Sequence, residues 1–300
     1  MKPWVLMDVS YLAYRAHYAN PDLAWEDLHT EVLFGFWEQL RIICEDEFIN
    51  SNRVVACFDS RQSIRREQFP EYKIKREDIT PEEREMRRTI HDQLQLLRRE
   101  ILPNVGIQVL HQTGLESDDV MAQAARQLTD AEEEAILVTA DGDLWQCITH
   151  FVSWYDPARK TMYSPTSFEA KKGILPRWWG TVKSLAGCSG DGVPGIEKVG
   201  EKTAVKFLLG TLPSHHKTFQ AIQSPEGRAI IERNKQLVGL PHQATKPVPL
   251  RSPEYSTEEF FAMCRRYGFL SYLKEPKRRE WEKFLQLKRK IRTRRRGEKR

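Results

Sequence analysis

Three short apolar runs in this sequence each lead into an aspartate. They are residues 4–7 before Asp8, 54–58 before Asp59 and 136–140 before Asp141. Short, continuous apolar runs are typical of strands buried on both faces, as in parallel sheets. Because ligands bind at the carboxyl ends of such strands, we expect the three carboxylates to converge.

Further acidic residues lie where they could join this group. Glu116, Asp118 and Asp119 open a predicted helix, Asp143 follows Asp141 after one glycine, and Asp191 lies between two glycines. Each could simply cap a helix, but so many like charges at one edge are costly unless cations bind between them. Oxygen ligands without His or Cys suit Mg²⁺ or Mn²⁺, and a pair of such ions is the usual device for in-line displacement at phosphorus.

Composition excludes several other classes of protein. The chain has 300 residues, of which 40% are hydrophobic and 30% charged, as in soluble globular proteins. It lacks the run of ~18 apolar residues of a membrane span, and its first residues lack a signal peptide, so we expect a cytosolic protein. The five cysteines are scattered without a C-x-x-C pair, which argues against disulfides and structural zinc.

The positive charge is concentrated at the C-terminus. Residues 274–300 hold fourteen Lys and Arg against four Asp and Glu, whereas the rest of the chain is net acidic. An acidic body with a basic tail indicates a polyanionic partner, most commonly nucleic acid. A helical stripe of Trp281, Phe284, Leu287 and Ile291 predicts that the tail is partly docked and frays beyond Thr293.

Helical patterns alternate with the strands. We predict one helix over about 25–47, a second that begins at a capping box at Thr80, and a third over 117–128. Residues 106–110 are predicted to form another strand. This alternation predicts an α/β fold with a mostly parallel sheet. After about Pro176 helices dominate, so we predict a core over 1–180, a smaller helical subdomain over 181–273 and the tail over 274–300.

Five motifs together resemble the 5′ nuclease superfamily of flap endonucleases, bacteriophage 5′–3′ exonucleases and the nuclease domain of DNA polymerase I. Residues 8–15 (DVSYLAYR) resemble its opening Asp-Gly-x-x-x-x-x-Arg. Residues 58–60, 64–66 and 69–76 resemble the phage enzymes in particular. Leu115–Val120 is similar to Glu-Ala-Asp-Asp, Thr139–Leu144 to Thr-x-Asp-x-Asp-Leu, and Gly187–Thr203 to the glycine-rich DNA-binding segment.

The chain departs from the family pattern at two places. Cys188 stands where bacterial members usually have an aspartate, with Asp191 matching the second acid, so we expect a more weakly bound second metal and retained activity. The hairpin Gly-Ile-Gly is Lys198-Val199-Gly200 here. Its first glycine is lost where a positive φ is needed, although Lys198 adds a potential phosphate contact.

The resemblance implies a PIN-like fold, with a helical arch over about 69–99 and a C-terminal helix–three-turn–helix subdomain. It implies metal-dependent hydrolysis of DNA phosphodiesters near 5′ ends and single-strand/duplex junctions, in replication or repair. It implies two Mg²⁺ (or Mn²⁺) ions. The first would be held by Asp8, Asp59, Glu116 and Asp118, and the second by Asp119, Asp141, Asp143 and Asp191. Lys73 and Arg76 would contact the scissile phosphate.

The resemblance also assigns residues to DNA. The hairpin of the helix–three-turn–helix element would grip duplex DNA, in the family often with a bound K⁺ ion. In the arch, Phe69 and Tyr72 would stack on bases, whereas the stripe Met86–Ile101 is interpreted as core packing. The predicted DNA-binding residues are Arg15, Arg65, Arg66, Tyr72, Gly195, Lys198, Gly200, Lys202 and Lys206.

Two other functions stay open at this point. One is a nuclease that mainly removes RNA primers from RNA–DNA hybrids. The other is a protein that binds branched DNA but cleaves poorly, for which Cys188 and the altered hairpin are the support. We expect a free-standing monomeric enzyme, because no polymerase sequence follows within the 300 residues.

Overall fold

A computed structural model describes residues 2–74 and 79–286. Its strands are β1 Trp4–Asp8, β2 Ala24–Trp25, β3 Leu28–His29, β4 Arg53–Cys57, β5 Gln108–Leu110, β6 Ala135–Val138, β7 Val152–Asp156, β8 Thr161–Tyr163, β9 Gly187–Cys188 and β10 Val193–Pro194. Its α-helices are α1 Val9–Ala19, α2 Glu31–Glu45, α3 Ile64–Gln68, α4 Pro81–Leu96, α5 Leu102–Val105, α6 Ser117–Asp130, α7 Pro165–Lys172, α8 Trp179–Ala186, α9 Glu201–Leu208, α10 Lys217–Gln223, α11 Pro225–Val238, α12 Thr257–Arg266 and α13 Lys277–Phe284.

The central sheet has six strands in the order β5-β4-β1-β6-β7-β8. All neighbours pair in parallel except β7 and β8, which are antiparallel. The predicted mostly parallel sheet is therefore confirmed. The strands β7 and β8 were not predicted, because their sequences VSWYD and TMY mix polar and aromatic residues and lack a continuous apolar run.

Alternate residues of β1 enter two separate hydrophobic cores. Val5 and Met7 pack into the core that contains α2, while Trp4 and Leu6 pack into the core that contains α6. Burial on both faces explains why the strand is continuously apolar. It also leaves only the carboxyl end of β1, at Asp8, free to carry a polar side chain to the sheet edge.

The helix predicted over 25–47 begins later, at Glu31. The residues before it form the two-stranded hairpin of β2 and β3, in which Leu28 is exposed rather than part of a helical stripe. The buried Gln93 side chain of α4 accepts hydrogen bonds from the amides of Val32 and Leu33, at 3.0 and 3.3 Å. This long-range cap satisfies two amides of the first helical turn and fixes where α2 starts.

The helix predicted from Thr80 is confirmed, with its capping box between Thr80 and Glu83. Its apolar stripe packs as core: Ile90, Leu97 and Ile101 are buried, and Met86 and Leu94 pack against them. A single π-helical turn, Leu97–Ile101, joins α4 to α5. The N-terminal part of the predicted arch includes residues 75–78, which lie outside the described residues, so the arch stays a prediction.

The last described helices pack against the first ones. Trp281 of α13 lies edge-on to Trp37 of α2, with ring centroids 6.0 Å apart, and Phe260 of α12 contacts both rings. The first part of the basic tail is therefore docked, while Leu287 and Ile291 lie outside the described residues. The domain boundaries at 180 and 273 stay predictions. Across the described ranges, every helix is too short or too polar to cross a bilayer.

Candidate metal centre and nucleic-acid surface

Five carboxylates line one cleft at the carboxyl edge of the sheet. The cleft has a volume of about 780 Å³ and includes side chains from β1, α4 and the loops after β4 and β6. Its acidic residues are Asp8, Asp59, Glu116, Asp118 and Asp141. The strand order places β1 between β4 and β6, and the chain reverses its direction of winding there, so three of these acids meet at a topological switch point.

Asp8 is held by the start of α1 and by a threonine after β6. Its carboxylate accepts hydrogen bonds from the Tyr11 amide at 3.1 Å and from Thr139 Oγ1 at 3.0 Å. Burial, followed by the charge of Asp59, raises the pKa of Asp8 to about 7. A cation bound beside such a buried carboxyl group would stabilise its ionised form.

Asp118 shows the need for a cation most directly. Its Oδ1 atom is buried and has no hydrogen-bond partner among the described residues. Burial and the charges of Asp141, Asp8, Glu116 and Asp59 raise its pKa well above the ordinary value. Asp59, by contrast, is fully oriented, because it accepts hydrogen bonds from Ser10 Oγ and from the Ser117 amide.

Glu116 is positioned by two side chains from the segment that follows α3. Lys73 Nζ donates to Glu116 Oε1 at 2.7 Å, and Tyr72 OH donates to Glu116 Oε2 at 3.1 Å. The Lys73 ammonium also lies 3.9 Å from Asp191 Oδ1. The backbone amide of Lys73 donates a hydrogen bond to the backbone carbonyl of Asp191. Lys73 therefore connects the cleft with a second acidic group.

That second group consists of Asp143, Cys188 and Asp191. One potential ligand atom from each lies within 4.8 Å of the others. Cys188 Sγ is 3.8 Å from Asp143 Oδ2 and 3.7 Å from Asp191 Oδ2. Burial and the charge of Asp141 raise the pKa of Asp143 to about 6, and Asp141 also contributes to the raised pKa of Asp118 in the cleft.

A lysine partly neutralises the second group. Lys183 Nζ of α8 lies 3.2 Å from Asp143 Oδ1. Burial, together with Asp143 and Asp191, raises the pKa of Cys188 to about 12, so the thiol is neutral at pH 7. This group consequently offers two carboxylates where an aspartate in place of Cys188 would provide three.

The sequence of the core matches a known family. Residues 3–173 match the profile of the 5′-3′ exonuclease N-terminal resolvase-like domain. The chain belongs to the 5′-3′ exonuclease family. The resemblance seen in the sequence motifs is thereby confirmed, and the family match covers the cleft from Asp8 to Asp143.

Relatives of this exonuclease-family chain occur both alone and inside larger proteins. It is 27% identical over 263 residues to a 5′-3′ exonuclease of Buchnera aphidicola, covering 87% of this chain and 84% of that one. It is 32% identical over 262 residues to DNA polymerase I of Mycobacterium bovis. That alignment covers 82% of this chain and 27% of the polymerase, so the chain spans about a quarter of that relative.

Solved structures support the fold. A bacteriophage T5 flap endonuclease, crystallised as a pseudo-enzyme–product complex with DNA and metal ions, matches with a TM-score of 0.67 at 19% identity. The match covers 80% of this chain and 90% of the phage chain. The central sheet, its flanking helices and the helical C-terminal region therefore follow the fold of the family.

Two predicted site residues form a structural pair instead. Arg65 and Asp119 are both buried, and Arg65 Nη2 donates to Asp119 Oδ1 at 2.8 Å as part of a two-pronged ion pair. The amides of Glu116 and His242 also donate to Asp119. Burial raises the pKa of Asp119, but the Arg65 contact outweighs it and lowers the pKa. This ion pair gives both residues a structural role, and the metal role of Asp119 and the phosphate role of Arg65 stay predictions.

Two aromatic residues predicted to stack on bases pack inside the protein. Tyr72 is buried against Val193, Leu237 and Val238, with Phe69 packed at the edge of the same small cluster. Its hydroxyl holds Glu116. Tyr72 is only 3% exposed, which gives it a packing role, and its DNA contact stays a prediction.

The predicted DNA-binding hairpin has the backbone shape that its glycine pattern suggested. Lys198 adopts a positive φ of 63°, at the position where the family has glycine. Lys198, Lys202 and Lys206 are exposed, and Gly200 is exposed at the start of α9. Gly195 allows a close backbone approach, because a Cβ there would lie 2.2 Å from the Ala186 carbonyl, and its DNA contact stays a prediction.

Three further basic residues were predicted to contact DNA or the scissile phosphate. The Arg15 guanidinium lies 5.6 Å from the centre of the Tyr11 ring, on the helix that Asp8 caps. Arg66 is half-buried on α3. Arg76 lies outside the described residues. The DNA roles of Arg15 and Arg66 and the catalytic role of Arg76 stay predictions.

Sequence reasoning missed the wall of the cleft opposite the acids. Arg87, His91 and Gln95 of α4 line it, together with Tyr14 of α1 and Arg61 after β4. The signal was present, because Arg87, His91 and Gln95 recur at a spacing of four and so share one polar face of α4.

Proposed function

We propose that this protein is a metal-dependent 5′–3′ exonuclease and flap endonuclease that hydrolyses DNA phosphodiesters near 5′ ends and junctions. Its family membership and the acidic cleft support this proposal. The observation that carries it is the buried Oδ1 of Asp118, which finds no hydrogen-bond partner within residues 2–74 and 79–286, in a cleft of five carboxylates. Such a group is expected only where a cation completes the site.

The donor set fits two divalent ions. Asp8, Asp59, Glu116 and Asp118 would hold the first and Asp143 and Asp191 the second, while the charge of Asp141 acts on acids of both groups. All the charged donors are carboxylates, which favours Mg²⁺ or Mn²⁺ over softer metals. When bound, such a pair activates water and neutralises charge on the phosphate undergoing displacement.

The chain's own residues supply orientation and further positive charge. Thr139 and the Tyr11 amide fix Asp8, whereas Ser10 and the Ser117 amide fix Asp59. Lys73 lies beside both acidic groups, 2.7 Å from Glu116 and 3.9 Å from Asp191, and we propose that it also contacts the scissile phosphate. Arg76 would act beside it, as the family motif implies.

We propose that duplex DNA is held by the surface of α9. Lys198, Lys202 and Lys206 are exposed there, and no ion pair with a carboxylate is formed by Lys202 or Lys206 within residues 2–74 and 79–286. Exposed lysines without acidic partners suit backbone phosphates. A K⁺ ion at this hairpin, action on RNA–DNA hybrids, a monomeric state and a cytosolic location stay proposals.

The test is cleavage of a flap DNA labelled at its 5′ end, with Mg²⁺, Mn²⁺ or EDTA. We expect cuts near the junction in either metal and none in EDTA. Single-nucleotide shortening from the 5′ end would assign mainly exonuclease activity. Tight binding without cleavage in both metals would contradict the proposal and favour a structure-recognition protein, for which Cys188 in the second acidic group is the supporting observation.

A further inference from the structure

A second cavity adjoins the acidic cleft and is basic. It has a volume of about 290 Å³ and shares five lining residues with the cleft, among them Asp59, Arg61 and Gln95. Its other walls come from the π-helical turn after α4 and from the residues that follow β5. It therefore lies at the same sheet edge, directly beside the metal-binding carboxylates.

Three arginines surround this cavity, which we call the basic pocket: Arg61, Arg98 and Arg99. Among the described residues, none of them forms an ion pair with a carboxylate. The only acid in the wall, Asp59, has its oxygens engaged by Ser10 and by the Ser117 amide. Positive charge in the pocket is thus left without an acidic partner, which is the arrangement expected of an anion site.

The guanidinium of Arg98 is the most confined of the three. Its Nη2 donates to Gln95 Oε1 at 2.8 Å, while its Nε is buried without a hydrogen-bond partner among the described residues. A buried N–H without an acceptor is costly, so a ligand oxygen would relieve it. Burial and the charge of Arg98 lower the pKa of His111 in the same wall, although the charge of Asp59 opposes this effect.

The backbone presents these arginines through an irregular turn. Leu97–Ile101 is a π-helical turn, in which one extra residue changes the direction of the side chains that follow α4. Such turns occur often at functional sites. Here the turn keeps Leu97 and Ile101 in the core while Arg98 and Arg99 line the pocket.

We propose that the basic pocket binds the 5′-terminal phosphate of a DNA strand whose next phosphodiester lies in the metal cleft. A terminal phosphate carries up to two negative charges, and the pocket holds three guanidinium groups that form no ion pair with a described carboxylate. An internal diester carries only one charge. The pocket would make the protein prefer 5′-phosphorylated ends for exonucleolytic cleavage. The inference rests on the proposed nuclease function.

The test compares three DNAs in single-turnover cleavage with Mg²⁺: a duplex end with a 5′-phosphate, the same end with a 5′-hydroxyl, and a long 5′ flap. We expect the phosphorylated end to be cut about tenfold faster than the hydroxyl end, equivalent to ~1.4 kcal/mol. Arg98→Gln and Arg99→Gln should each bring that ratio close to one and leave flap cleavage unchanged. Arg99 is exposed, so its replacement should not disturb folding.

Arg126→Gln is the matched control, since Arg126 is exposed on α6 and lines neither cavity. Its phosphate-to-hydroxyl ratio should equal that of the wild type. Equal rates on the two ends in the wild type would overturn the proposal. An equal loss on all three DNAs in the arginine variants would also overturn it, because the pocket would then hold an internal backbone phosphate.

Failure of the proposed function would be recognised separately, by the absence of cleavage of every DNA. In that event, equilibrium binding of 5′-phosphorylated and 5′-hydroxyl oligonucleotides in EDTA decides the role of the pocket. Tighter binding of the phosphorylated strand that is lost in Arg99→Gln supports the site. Equal affinities would overturn it.

Discussion

Cys188 changes the charge of the second acidic group at a single position. Its thiol lies between Asp143 and Asp191 and is neutral at pH 7, because burial and these acids raise its pKa to about 12. Mg²⁺ prefers anionic oxygen and binds a neutral thiol poorly. The residue therefore weakens the group for hard cations without removing the two carboxylates.

Replacing this residue by aspartate should strengthen metal binding. We expect Cys188→Asp to lower the Mg²⁺ concentration for half-maximal cleavage by about tenfold, or ~1.4 kcal/mol, through one added carboxylate. Cys188→Ser, which adds no charge, is the control and should leave that concentration nearly unchanged. A Mg²⁺ titration of cleavage rates measures both. An unchanged midpoint in Cys188→Asp would show that this group does not hold a metal needed for activity.

At the scale of elements, the Arg65–Asp119 pair joins three helices. Arg65 of α3 binds Asp119 at the start of α6 and donates to the Leu237 carbonyl near the end of α11 at 2.8 Å. This arrangement fixes α3 beside α6 and thereby positions the segment that carries Tyr72 and Lys73. The pair therefore influences the site through the position of this segment.

Breaking the pair should destabilise the fold. Asp119→Asn leaves a buried arginine without a charged partner and should lower the free energy of unfolding by ~3–5 kcal/mol. The double variant Arg65→Met/Asp119→Leu should recover most of that loss, since it removes both charges together. Urea unfolding measures both variants. A stable Asp119→Asn protein with a raised Mg²⁺ requirement would instead make Asp119 a metal ligand.

The sequence predicted the elements whose signals are local and missed contacts between distant residues. The apolar runs before Asp8, Asp59 and Asp141 identified the parallel strands, because burial on both faces requires continuous apolar sequence. The pairing of Arg65 with Asp119 could not be predicted, because 54 positions separate them in the sequence. In addition, both residues match family motifs, which assigned them to DNA and metal instead of to each other. The start of α2 was also missed because of a long-range contact, since the side chain of Gln93 caps this helix from a distant part of the sequence.

For the whole molecule, the carboxylate cluster makes stability depend on pH and metal together. The pKa of Asp8 is raised from 3.8 to about 7, and that of Asp143 from 3.8 to about 6. A raised pKa in the folded state means that the folded protein binds protons more tightly than the unfolded chain. The metal-free protein should therefore lose stability as the pH rises from about 4 to about 7.

Magnesium should reverse this loss. We expect the rise in Tm on adding Mg²⁺ to be larger at about pH 7.5 than at about pH 5.5, because the ion replaces the protons that the acids otherwise require. Thermal unfolding in EDTA and in Mg²⁺ across this range measures it. Asp8→Asn should show a smaller pH dependence in EDTA. A Tm in EDTA that rises from about pH 5.5 to 7.5 would contradict the account.

The basic tail should contribute to DNA affinity through charge alone. Trp281 is 1% exposed in the core, so truncation must follow Gln286 to leave α13 intact, rather than remove residues from 274 onward. Deleting residues 287–300 removes nine Lys and Arg. We expect a shallower dependence of DNA affinity on salt, with single-turnover cleavage spared at saturating protein. An unchanged salt slope would show that the tail does not contact DNA.

The most direct test of the acidic cleft measures both the thermal stability and the cleavage rate of Asp118→Asn. Asp130→Asn, at the exposed far end of α6, is the control. The variant removes a buried charge whose Oδ1 has no hydrogen-bond partner in the part of the chain that the structure describes. We predict that it raises Tm in EDTA at about pH 8 by a few degrees, while single-turnover cleavage of flap DNA in Mg²⁺ falls at least ~100-fold and DNA binding persists. The control should change neither quantity. Cleavage at the wild-type rate by Asp118→Asn would contradict the assignment of this cleft as the metal-dependent nuclease site.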